Sequence, residues 1–139
     1  MAQPRVVIDT NCLLQVLGAK SKYHFLFESF LQFGYVMCIS NEVLLEYEEI
    51  LRAKASPLAA DLFLKVMARS RNVVRKDPYF KWNIITIDFD DNKFVDCAFA
   101  CRANYIVTND KHFREVVDSP FPTFNVITLD EFAEMMKTK

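Results

Sequence analysis

Glycine is nearly missing from this chain: only Gly18 and Gly34 occur among 139 residues. A phosphate-cradling loop needs close backbone approach at several glycines, so Walker-type and dinucleotide-binding sites are excluded. Histidine is equally scarce, with His24 and His112 alone. A metal-independent ribonuclease needs a general acid/base pair, usually of histidines, and nothing in the sequence places these two together. Cys12, Cys38, Cys97 and Cys101 form no CxxC pair, which argues against a zinc site. Each lies in an apolar segment and reads as a reduced core thiol of a cytoplasmic protein. The one-turn spacing of Cys97 and Cys101 is the only hint of soft-metal or redox chemistry. No run of about 18 apolar residues is present, so no transmembrane helix is expected. Met1-Ala2-Gln3-Pro4-Arg5 leads straight into an apolar run and leaves no room for a signal peptide. The net charge of −1 neither supports nor opposes nucleic-acid binding, because patches outweigh sums.

What the chain does have is core material: 52% hydrophobic residues, 13 of them Phe. That suffices for one domain spanning residues 1–139. Short β-branched runs at Val6–Ile8, Tyr35–Ile39, Tyr105–Thr108 and Val126–Thr128 read as strands. Val73-Val74 and Ile84–Ile87 read as further short extended segments. Between them lie helical stretches at Asn11–Leu17, Tyr23–Phe33, Asn41–Lys54, 57–71, from Asp90 or Asp91 to Ala103, and Lys111–Val117. Gly34 stops the second of these. Ser56-Pro57 starts another, with Ser as N-cap and Pro at the first helical position. Thr128 and Glu131 form a capping box for a final helix. Asp77–Trp82 and the Pro120/Pro122 region read as loops. Continuous apolar strands alternating with helices predict a three-layer α/β/α domain around a mostly parallel sheet.

Acids punctuate this pattern. Val6-Val7-Ile8 ends in Asp9-Thr10-Asn11, and Tyr105-Ile106-Val107 ends in Thr108-Asn109-Asp110. In a parallel sheet both acids face the crevice beyond the strands' carboxyl ends, where ligands bind. One such Asp is more often a helix cap than a reactive group; two in one small domain reverse those odds. On the Asn41–Lys54 helix, Glu42 and Glu49 point away from the apolar arc. Glu46 and Glu48 border it, and periodicity does not choose between them. Asp90 and Asp91 both read as helix-start residues. Asp91 also tops the strip of Phe94, Val95 and Ala98. Asp96 is expected to pair with Lys93 at the surface rather than to approach another element. Clustered carboxylates raise each other's pKa and destabilise a fold unless a cation neutralises them. All-oxygen ligands select Mg²⁺ or Mn²⁺. Such ions generate a nucleophile from water and offset charge on a phosphodiester.

Four segments in order resemble the PIN-domain ribonucleases, closest in flavour to the bacterial branch of toxin components of toxin–antitoxin systems. They are Val7–Asn11, Glu42–Tyr47, Asp91–Ala98 and Ile106–Lys111. The resemblance implies an acidic quartet of Asp9, Glu46, Asp91 and Asp110 holding one or two divalent ions and cleaving single-stranded RNA. It implies supporting roles for Asn11, Thr108 and Asn109, with Asp96 as a fifth acid. It also implies a cognate antitoxin and leaves room for a homodimer.

For RNA, the expected phosphate contacts are Lys20, Lys22, Arg75, Lys111 and His112. Arg69, Arg71 and Lys76 form a further basic group. Tyr79, Phe80 and Trp82 can stack on bases, though such residues more often pack on their own domain. Two other activities fit less well. A haloacid-dehalogenase-type phosphatase wants an acid at position 11, which is Asn. A receiver-like domain wants paired acids after the first strand. The alternative to the enzyme is a catalytically inactive PIN-like module that binds RNA or protein.

Overall fold

The computed structural model describes residues 3–79, 81–86, 88–118 and 123–138. Phe80, Ile87, Pro120 and Pro122 therefore lie outside the described residues. Among the described residues five strands form one sheet: β1 (Arg5–Ile8), β2 (Val36–Ile39), β3 (Val73–Arg75), β4 (Tyr105–Val107) and β5 (Val126–Ile127). Their order is β3-β2-β1-β4-β5, and every pairing is parallel. Among the described residues seven α-helices accompany it: α1 (Thr10–Leu17), α2 (Phe25–Leu31), α3 (Asn41–Lys54), α4 (Pro57–Arg69), α5 (Asn92–Cys101), α6 (Arg114–Val117) and α7 (Leu129–Lys137).

Consecutive strand residues point to opposite faces. Val6, Val7 and Ile8 are all fully buried, so helices cover both faces of the sheet, as the unbroken apolar runs predict. The four cysteines are buried and unpaired in disulfides. Burial beside Asp9 pushes the Cys12 thiol up to about 12, which keeps it an inert part of the core. Among the described residues no helix is long and apolar enough to cross a membrane.

The caps follow the sequence closely. Ser40 and Ser56 accept from the backbone N–H groups of Val43 and Ala59, and Thr128 with Glu131 closes the expected capping box. Gly34 is needed for a different reason from its expected one. Phe33 takes the left-handed conformation that ends α2, and Gly34 N–H bonds to Ser29 O at 2.8 Å. A Cβ at Gly34 would meet Ser29 Oγ at 2.2 Å, so close packing is what demands glycine there. The extended segment expected over Ile84–Ile87 joins no strand in its described part. Instead the Asn92 carboxamide bonds both Ile85 N (2.8 Å) and Ile85 O (2.9 Å). A side chain supplies the partners a neighbouring strand would have given.

The chain moves from β1 outward to β2 and β3, then returns past β1 to β4 and β5. The direction of winding thus reverses between β1 and β4. A crevice opens at such a switch point, outside the carboxyl ends of the two strands.

Candidate metal-binding active site

Asp9 stands at that switch point, immediately after β1. It is buried and serves as the N-cap of α1, accepting from Cys12 N–H at 3.1 Å through Oδ1. Its other oxygen, Oδ2, accepts from the Thr108 hydroxyl at the end of β4. The same hydroxyl accepts from Asp110 N–H at 3.0 Å. One oxygen atom therefore fixes both strand-terminal acids, and the pairing of Ile8 with Val107 sets its position. Burial raises the Asp9 carboxyl above its ordinary value, with Asp110 adding repulsion; the bonds from Thr108, Cys12 N–H and Asn11 N–H oppose this.

Asp91 approaches from the start of α5. It makes no capping bond. The turn before the helix is closed by Asp88 instead, whose backbone carbonyl accepts from Asp91 N–H and whose carboxylate accepts from Asp90 N–H, both at 3.1 Å. The Asp91 carboxylate is thereby free to face the crevice. Burial, then repulsion from Asp88, Asp110 and Asp9, pushes it up to about 6, with His112 pulling the other way. Asp91 Oδ2 is shielded from solvent yet has no hydrogen-bond partner, and so is His112 Nδ1. Donor atoms of Asp88, Asp91 and His112 lie within 4.8 Å of one another. An orphaned carboxylate oxygen beside an orphaned imidazole nitrogen is what a divalent cation satisfies, so this donor set fits such an ion.

Glu46 lies on the other side of the crevice, on α3. Of the two acids that periodicity left open, it is the one that turns inward: Glu48 pairs at the surface with Arg52 at 2.9 Å. Glu46 accepts from the Thr10 hydroxyl and from Lys93 Nζ at 2.8 Å. Lys93 also meets Asp90 at 3.0 Å. Its partners are therefore not the expected one. Asp96 is buried rather than surface-paired, and its carboxylate accepts from Trp82 N–H at 3.0 Å. Its charged neighbours are Glu42 and Lys81, so its role is to tie the preceding loop onto α5.

The supporting residues divide. Thr108 donates to the Asp9 carboxylate and accepts from Asp110 N–H. Asn11 contributes its backbone N–H to Asp9 while its side chain is exposed. Asn109 accepts from Leu129 N–H at 3.0 Å and so anchors α7, not an acid. Among the basic residues, Lys111 is exposed and His112 half-buried directly beside Asp110. Arg75 is exposed but donates to Asn41. Lys20 and Lys22 are exposed between α1 and α2, with the Lys22 ammonium 5.2 Å from the Tyr23 ring centre. Trp82 packs edge-on against Phe99, whereas Tyr79 is fully exposed. Sequence reasoning missed Asp88 and Lys93 as members of this cluster and gave His112 only an RNA role. The Asp88-x-x-Asp91 spacing and the two-residue step from Asp110 to His112 were the available signals.

Comparison with known proteins agrees with this fold. The family described as PIN domain matches residues 5–112. No curated protein matches by sequence. Among solved structures, VapBC2 from Rickettsia felis, bound to a promoter DNA fragment, is similar at TM-score 0.62 and 15% identity, over 89% of this chain and 98% of that one. The DNA-bound VapBC from Salmonella typhimurium is similar at TM-score 0.57 and 19% identity, over 93% and 99%. The PIN domain endonuclease Utp24 follows at TM-score 0.53 and 20% identity, over 89% and 84%. At such identities the structures speak for the fold, while the match over most of the chain shows that this protein belongs to the PIN domain family.

Proposed function

We propose that this protein is a metal-dependent endoribonuclease that cleaves single-stranded RNA and serves as the toxin of a toxin–antitoxin pair. The observation that carries this reading is the cluster of Asp88, Asp91 and His112 donor atoms beside the strand-terminal Asp9 and Asp110, with a shielded Asp91 oxygen lacking any partner. Asp9, Asp91 and Asp110 hold Mg²⁺ or Mn²⁺, and Glu46 completes the quartet from the opposite wall. When bound, the ion supplies positive charge that activates water and offsets charge on the phosphodiester. Thr108 keeps Asp9 and Asp110 aimed at one point. Lys111, beside Asp110, faces phosphate, and Lys20, Lys22 and Arg75 extend the contact. Supporting the RNA substrate, a relative of this fold is a Mycobacterium tuberculosis toxin that cleaves the sarcin–ricin loop. Supporting an antitoxin partner, the VapBC and FitAcB neighbours are toxin–antitoxin assemblies. Exposed Leu31, Phe33, Leu58 and Leu62 offer the apolar surface that a partner or a second copy would cover. Four unpaired buried thiols suit a reducing, cytoplasmic setting.

One observation favours an inert RNA- or protein-binding module: Lys93 already neutralises Glu46. RNA cleavage decides between the two. The wild type is expected to cut with Mn²⁺ or Mg²⁺ and to stop with chelator. Asp9→Asn is expected to lose on the order of 100-fold or more, since outer-shell partners of metal ligands alone are worth 10- to 100-fold. Cleavage in chelator, or an undiminished Asp9→Asn, overturns the metal site. Absence of Mn²⁺ binding by calorimetry establishes the inert module.

A further inference from the structure

We propose that His112 Nδ1 is a direct ligand of the divalent ion, shared with Asp91, and that this nitrogen makes the site select Mn²⁺ over Mg²⁺. The proposal rests on the metal-site reading above and adds to it the identity of a ligand and of the preferred ion.

Position comes first. His112 N–H donates to Asp110 Oδ1 at 2.9 Å, which tightens the single turn Lys111–Phe113. Phe113 is fully buried and anchors that turn. The imidazole is thereby folded back over the acids instead of extending into solvent. Nδ1 comes to 3.6 Å from Asp91 Oδ2 and 3.5 Å from Asp110 Oδ1.

Those distances discriminate between two kinds of contact. A hydrogen bond from an imidazole N–H to a carboxylate spans about 2.7–3.2 Å, and a charge-assisted one lies at the short end. Neither contact reaches that range, and Nδ1 and Asp91 Oδ2 are both shielded and unpartnered. Two donors each about 2.1–2.2 Å from one ion, at the angles of octahedral or tetrahedral coordination, stand roughly 3.0–3.6 Å apart. The observed separations, 3.5 and 3.6 Å, exceed those of adjacent octahedral ligands by about 0.5 Å, so a side-chain shift of that size brings the donors around a common ion. Asp88 offers a further oxygen within the same small volume.

Chemistry then sets the preference. Mg²⁺ demands oxygen ligands in near-ideal octahedral geometry. Imidazole nitrogen suits first-row transition ions, of which Mn²⁺ also accepts carboxylates readily. A mixed donor set of Asp88, Asp91, Asp110 and His112 fits Mn²⁺ better than Mg²⁺.

Electron spin echo modulation of the Mn²⁺-loaded full chain tests this directly. The wild type is expected to show nitrogen-14 coupling, which His24→Gln retains and His112→Gln loses. By calorimetry, His112→Gln is expected to weaken Mn²⁺ binding about 10-fold or more and Mg²⁺ binding less than about 3-fold. Bound Mn²⁺ without nitrogen coupling in the wild type overturns the proposal, and so does coupling that survives His112→Gln. Asp9→Asn separates the two levels: if it abolishes Mn²⁺ binding while the wild type shows no coupling, only His112 is dismissed. If it leaves Mn²⁺ binding intact, the metal site itself is misplaced.

Discussion

The two walls of the crevice carry acids of the same charge in opposite states. On the α3 wall, Glu46 is saturated by the Thr10 hydroxyl and the Lys93 ammonium. On the α5 wall, Asp91 is crowded by Asp88, Asp110 and Asp9 and has an oxygen with no partner. The contrast shows how one cluster of carboxylates is divided between an internal cation and an external one. Glu46 already has its counter-charge inside the chain. Asp91 has only the His112 imidazole, 3.6 Å away, and the rest of its repulsion is relieved by a proton or a metal ion.

The comparison has measurable edges. The largest effect concerns affinity. Asp91→Asn is expected to weaken Mn²⁺ binding by about 10- to 100-fold, whereas Glu46→Gln weakens it only about 3-fold, because Glu46 must give up Lys93 to engage an ion. Calorimetry on the two variants checks this, and the reverse order would break the distinction between the walls.

Stability moves the other way. Glu46→Gln leaves the largely buried Lys93 with only the exposed Asp90 as an acidic partner, and is expected to cost about 1–3 kcal/mol in denaturant unfolding. Asp91→Asn removes a repelled charge and is expected to raise the melting temperature of the ion-free protein by roughly 3 °C.

The smallest effect is in the pH dependence. Asp91 holds its proton more tightly folded, at about 6, than unfolded, near 3.8. A group raised in this way opposes folding while ionised. Without divalent ions, the wild type should gain stability as pH falls from 7 through 6 toward 4, relative to Asp91→Asn. Parallel melting curves with the same slope in both proteins would show that Asp91 is not under strain.

The parts of this arrangement that were legible in the sequence are those set by local pattern. Asp9, Thr108 and Asp110 follow unbroken apolar runs, and a parallel strand delivers whatever follows it to the carboxyl edge. Ser40, Ser56 and Thr128 cap helices through bonds three residues long. What periodicity could not supply were partners distant in sequence. Lys93 reaches Glu46 across 47 residues, so its near neighbour Asp96 was the partner the sequence suggested. Asn109 and Asn11 sit beside acids in the chain, but a carboxamide's direction depends on the neighbouring element, and Asn109 turned to α7. Asp88 lies in a segment with no period at all. Ile84–Thr86 has strand-like composition, but Asn92 took the backbone bonds that a sheet would have made.

Gathering charges around one Thr108 hydroxyl has a consequence for the lifetime of the protein as well as its chemistry. A cation that binds only the folded chain stabilises it by an amount set by its concentration, about 2.7 kcal/mol at 100 times the dissociation constant. On the proposed reading, ion supply governs how often the chain opens and how fast proteases remove it. A cell poor in that ion would hold less of this protein, in addition to a less active one. Limited proteolysis with and without Mn²⁺ would show this as slower digestion of the wild type in Mn²⁺ and no difference for Asp9→Asn.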